Sequence, residues 1–128
     1  MSDRDHARAL LVRAQKDLKA LRGMKDATSF DDEVFGVHSQ QAAEKGLKAW
    51  IALLGQRYPK THDIEELLEL LQSHGQDVSD SLPLVDLYPF AIQFRYESME
   101  SDDEPVDRLE ILHRVENLLA HVTKLVGI

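Results

Sequence analysis

Apolar side chains recur at three- and four-residue spacing along most of the chain, the period of helices that bury one face. The first such segment runs from about Arg4 to Met24, with Ala7, Leu10, Leu11, Ala14, Leu18 and Leu21 on one side. Asp3 is the expected N-cap, Gly23 is a stop signal, and the polar run Lys25 to Ser29 makes a loop. The second helix is predicted from Phe30 or Asp31 to Leu54, with Phe35, Ala42, Ala43, Leu47, Trp50, Ile51 and Leu54 as its apolar set. Gly55 ends it, and Tyr58-Pro59 falls in the following turn. Two helices of similar length with a short connection predict an antiparallel hairpin.

A third helix is expected from Thr61 or Asp63 to just before Gly75, with Ile64, Leu67, Leu68 and Leu71 inward. Asp63 and Glu66 have capping-box spacing, with Asp in place of the usual Ser or Thr. Asp77 to Pro83 reads as irregular. A short helix over Leu84 to Phe94, interrupted by Pro89, is expected next, then an acidic loop from Glu97 to Pro105 as the most mobile part. The last helix is predicted from Pro105 to Val126, with Val106, Leu109, Leu112, Val115, Leu119, Val122 and Leu125 in its stripe. Val, Ile and Thr never alternate in runs, so no sheet is predicted. The fold class is all-α: an up-and-down bundle of four to five helices, forming one domain over residues 1–128.

Composition narrows the function. The chain has 128 residues, enough for one core and too few for two. A net charge of −8 argues against a broad basic surface for duplex nucleic acid, although a local basic pocket remains open. With no cysteine, thiolate metal sites, disulfides and a cysteine nucleophile are excluded. No stretch approaches the roughly 20 apolar residues of a membrane span, and Met1 to His6 lacks an apolar signal core. The expected compartment is the cytoplasm, with no membrane partner and no cofactor.

The densest chemistry lies in His38-Ser39-Gln40-Gln41-Ala42-Ala43-Glu44-Lys45-Gly46-Leu47-Lys48-Ala49. On a helix, His38, Gln41, Glu44, Lys45 and Lys48 occupy neighbouring turns of one side. Glu44 and Lys48 have the favourable i, i+4 order of an ion pair. Taken alone, this is an ordinary solvated face. The run resembles the second-helix signature of HEPN domains, with Phe35 and His38 leading into Gln41 to Lys45 and Leu47 to Ala49. Pro59-Lys60-Thr61-His62-Asp63-Ile64 is similar to the family's Thr-His-Asp element, and Phe94-Arg95-Tyr96 to its Ala-Arg-Tyr element. The three occur in family order and span nearly the whole chain.

The resemblance implies a helical domain like the substrate-binding subunits of nucleotidyltransferases. It also implies nucleotide binding, pairing with a minimal nucleotidyltransferase in a toxin–antitoxin-like couple, and homodimerisation. The site residues it suggests are Gln41, Lys45 and Lys48 from the second helix, with Arg95 and Tyr96 opposite. The cations would hold phosphate oxygens, and Tyr96 would stack on a base. Equally compatible is an internal role, with Arg95 paired to Glu44. The alternative is a metal-independent endoribonuclease using Arg108 and His113, since ribonuclease branches of the family carry an Arg, four to six residues, and then a His near the start of the last helix. Positions five apart on a helix differ by about 140°, and Leu109 stands where that branch usually has a polar residue. The reading is therefore non-catalytic.

His62-Asp63 also invites comparison with HD-type metal phosphohydrolases, but the other His residues lack matching spacing, so no metal site is predicted. His62 is expected to pack or bond locally, His38 to be an interior or interface residue, and Trp50 to belong to the core or a dimer interface.

Overall fold

The computed structural model describes residues 2–25, 30–88, 90 and 107–127. Helix α1 spans Asp3–Met24, α2 Asp32–Leu53, α3 Ile64–Ser73 and α4 Arg108–Val126, with a 3₁₀ helix over Ser79–Leu87 between α3 and α4. Among the described residues there is no strand, and no helix is long and apolar enough to cross a membrane. The all-α expectation is met.

Helix α1 starts one residue earlier than Asp3 as a cap would allow. Ser2 is the N-cap, and a reciprocal capping box joins it to Asp5, whose backbone N–H donates to Ser2 Oγ at 3.1 Å. Asp5's carboxyl lies below its ordinary range because of the Ser2 hydroxyl first and the Ser2 backbone N–H second. Gly23 does not end the helix, which continues through Met24. The predicted face, Ala7, Leu10, Leu11, Ala14, Leu18 and Leu21, is buried throughout. Burying a leucine-sized side chain contributes roughly 1.5–3 kcal/mol, so this stripe fixes the helix against its neighbours.

Asp3 beside Gly55, Asp17 beside Lys45, and Met24 near Phe30 through a shared arginine show that α1 and α2 run antiparallel. Helix α4 runs antiparallel to α1: its Arg108 lies at the end of α1 and its Gly127 near Arg4. It is therefore parallel to α2. Close approach of these two helices depends on Gly46, where an added Cβ would lie 2.6 Å from the Leu119 side chain. Gly55, with φ +75°, turns the chain out of α2 in the left-handed region that glycine enters without strain.

Asp63 caps α3 by accepting from Glu65 N at 3.0 Å, and Thr61 Oγ1 accepts from Asp63 N at 3.1 Å. This local Asx turn takes the place of the expected capping box with Glu66. The stretch read as irregular is instead largely a 3₁₀ helix, which also covers the start of the predicted Leu84–Phe94 helix. Asp77 starts it with bonds from Ser79, and Leu84 and Leu87 bury inward. Most of the remainder of that predicted helix, the acidic loop and Pro105 with Val106 lie outside the described residues. Helix α4 is capped by Asp107, which accepts from Glu110 N at 3.1 Å. Its predicted stripe is shifted: Leu109 and Leu125 are exposed, whereas Leu118 and Val126 join Leu112, Val115, Leu119 and Val122 inside. The core of α1 and α2 lies on one side of α4, and the 3₁₀ helix on the next, so the buried arc turns from the predicted line.

Candidate functional site

Helix α2 carries its signature residues along the sides of the bundle seam. Lys45 Nζ donates to Asp17 Oδ2 at 2.7 Å, joining α2 to α1. His38, one helical stretch earlier, brings Nδ1 to 4.0 Å from Asp17 Oδ1, too far for a hydrogen bond, and that nitrogen is buried without a partner. Lys48 Nζ donates to Glu44 Oε2 at 2.9 Å, as the i, i+4 spacing predicts. These two side chains are only 12% and 13% exposed, which makes the pair stronger than the solvated case the spacing suggests. Lys48 also lies 5.5 Å from the centre of the Tyr58 ring, whose hydroxyl bonds His6 Nε2 at 2.7 Å.

Glu44 has a second partner. His62 Nδ1 is 2.9 Å from Glu44 Oε1, and Gln40 Nε2 donates to the His62 carbonyl at 2.6 Å. The two sequence elements, Gln40 to Lys48 and Thr61 to Asp63, are thus bonded to each other. Gln40 is 2% exposed, and its Oε1 is buried with no hydrogen-bond partner among the described residues. Gln41 is half-buried on the same helix with no hydrogen bond among the described residues. His62 therefore bonds beyond its own turn, and Asp63 serves as a cap. Among the described residues, no group of three or more His, Cys, Asp or Glu is placed to hold a metal ion.

The structure brings Gln41, Lys45 and Lys48 together on α2. Arg95 and Tyr96 lie outside the described residues. Trp50 is a core residue, 2% exposed, with its indole N–H donating to Gln76 Oε1 at 3.1 Å. Sequence reasoning missed Asp17, Tyr58 and the second partner of Glu44. Asp17 had one signal: it stands beside Leu18 on the inward side of α1, an acid where the stripe is closing.

Arg108 occupies a junction of three elements. Its Nε donates to Asp32 Oδ1 at 3.0 Å, Nη1 to the Met24 carbonyl at 2.7 Å and Nη2 to the Phe30 carbonyl at 2.5 Å. The guanidinium also lies 5.4 Å from the centre of the Phe35 ring. It ties the end of α1 and the start of α2 to the start of α4. His113, five residues on, is exposed and makes no hydrogen bond or ion pair among the described residues.

An all-helical domain whose second helix bonds to a Thr-His-Asp turn defines a class of small helical modules. The HEPN domain profile matches residues 7–125, and the chain belongs to that family. No curated protein and no solved structure matches it significantly.

Proposed function

We propose that this protein is a non-catalytic HEPN module that works by docking a protein partner of the minimal nucleotidyltransferase class. The observation that supports this is the engagement of Arg108. A ribonuclease needs that guanidinium free for a phosphate in the transition state. Here it bonds one carboxylate and two carbonyls of its own chain, with its side chain 16% exposed. Withdrawing it would break three hydrogen bonds of its own chain, each contributing about 0.5–1.5 kcal/mol.

Partner docking stands ahead of nucleotide binding for a related reason. A triphosphate at Gln41, Lys45 and Lys48 would compete with Asp17 for one lysine and with Glu44 for the other. Arg95 and Tyr96 complete that nucleotide reading. The homodimer implied by the family belongs to the same proposal, and light scattering measures it.

The test is induced expression of the protein without its partner. Growth is expected to continue, purified protein to leave RNA intact, and His113→Ala to behave as the parent. Growth arrest that disappears in His113→Ala overturns the proposal in favour of a toxin ribonuclease. In the same preparation, ATP, GTP, CTP and UTP are expected to leave the melting temperature unchanged. A ligand at 100 times its dissociation constant would stabilise the fold by about 2.7 kcal/mol, so a rise of several degrees restores the nucleotide site.

A further inference from the structure

Where the start of the 3₁₀ helix meets α4, a cavity of about 170 Å³ opens away from the signature face. Nucleotide-sized ligands fill pockets of roughly 300–1,000 Å³, so this one suits a single side-chain head group. Its wall carries Asp77, Asp80 and Ser81 from the 3₁₀ segment and Asn117 and His121 from α4, with Trp50 at its base.

Two observations set this cavity apart from an ordinary surface dent. Ser81 is 5% exposed, yet its hydroxyl has no hydrogen-bond partner among the described residues. The side chains of Asp80 and Asn117 likewise make no hydrogen bond among them. Asp80 and Asn117 are exposed and open to water, so it is the buried, unanswered Ser81 hydroxyl that marks a place for a group bringing its own bonds.

The sign of that group follows from Asp77. A helix N-terminus ordinarily favours an anion. Here the position is already filled, because Ser79 N and Ser79 Oγ donate to Asp77 Oδ1 at 3.0 and 2.7 Å. Those bonds hold the Asp77 carboxyl below its ordinary range, so it is ionised near neutral pH. The remaining wall offers carboxylate, hydroxyl and amide acceptors beside the His121 imidazole, and a second anion would meet Asp77 and Asp80 directly. Trp50 has given its N–H to Gln76, is 2% exposed, and meets the His121 ring edge-on with centroids 4.7 Å apart, so it backs the cavity without adding a donor. Carboxylates and neutral acceptors together fit a planar guanidinium, which carries five donors and no acceptor. The net charge of −8 steers a basic segment towards the protein.

We propose that this cavity is an anchor site for an arginine side chain presented by a basic segment of a protein partner. The assignment goes beyond the function proposed above, since neither Arg108 nor the α2 lysines take part. Its outcome is therefore independent of whether the protein cleaves RNA.

Trp50 is the only tryptophan in the chain, which gives the cavity its own reporter. The experiment titrates the protein with the tripeptide Gly-Arg-Gly at fixed pH and ionic strength and follows tryptophan emission. Parallel titrations use Gly-citrulline-Gly, which keeps the shape and lacks the charge, and spermidine, which carries ammonium groups. A saturable change is expected with the arginine peptide and not with the citrulline peptide. Its affinity is expected to fall at least tenfold in Asp80→Asn and further in the Asp77→Asn, Asp80→Asn double variant. Circular dichroism confirms that each variant is folded, and the amide oxygen of Asn at position 77 can still accept from Ser79. No saturable response, an equal response to citrulline, or binding of spermidine as tight as that of the arginine peptide overturns the assignment.

Discussion

The two polar regions of this bundle treat their side chains in opposite ways. Along the α1–α2 seam, Lys45 is answered by Asp17, Lys48 by Glu44, and Glu44 again by His62. At the meeting of the 3₁₀ helix and α4, the side chains of Asp80, Ser81 and Asn117 make no hydrogen bond among the described residues, and Asp80 is held only through its carbonyl, which accepts from Arg114. The first region is the one that carries the family signature, and the second attracts no notice in the sequence. The contrast teaches that a recognisable polar motif can be architecture. Its charges are internally compensated, so they orient helices and a turn, while binding capacity lies where polar groups are unanswered.

The sharpest way to break this comparison is at Arg108, which extends the closed pattern to the end of the bundle. Arg108→Ala removes the donor to Asp32 and to two carbonyls together. Breaking one partner of such a cluster costs about 2–4 kcal/mol. In a domain of this size the melting temperature is expected to fall on the order of 10 °C. Lys at this position supplies one ammonium in place of a planar fork and is expected to recover only part of the loss. Should Arg108→Ala melt with the parent, the guanidinium is not structural, and the closed face loses its strongest member.

A smaller effect is expected at Glu44, and here the cycle matters more than the single change. Glu44→Gln removes the charge that faces both Lys48 and His62, leaving a largely buried ammonium poorly matched. The expected loss is about 1–3 kcal/mol. Combining Glu44→Gln with Lys48→Met is expected to show a coupling of about 0.5–3 kcal/mol by denaturant unfolding. Additivity would mean that the two side chains are neighbours without being partners.

How much of this was legible follows from what a one-dimensional pattern encodes. The inward face of α3 was read in full and that of α1 in all but Met24, because a helical stripe is a local property. The Glu44–Lys48 pair was legible for the same reason, since its partners are one turn apart. The Asp17–Lys45 and Glu44–His62 bonds join residues 28 and 18 positions apart, and periodicity carries no information on which stripes meet. On α4 the pattern found a stripe but misplaced it by including Leu109 and Leu125, because three apolar neighbours widen its buried arc. The 3₁₀ helix was missed because Ser, Asp and Pro at its start are also turn formers. The family signature located the α2 face, although only the structure reveals that its lysines are already paired.

The smallest expected effect tests the open region, and its direction is the informative part. Asn117 sits mid-helix on α4, exposed, lining the cavity and making no hydrogen bond among the described residues. Nothing internal is lost when it becomes Ala, and alanine is the better helix former by up to about 0.7 kcal/mol. Asn117→Ala is therefore expected to leave stability unchanged or raise it by a few tenths of a kcal/mol, measured by thermal and urea unfolding. A loss of more than about 1 kcal/mol would instead mean that Asn117 already serves the structure, and the open region would join the closed one.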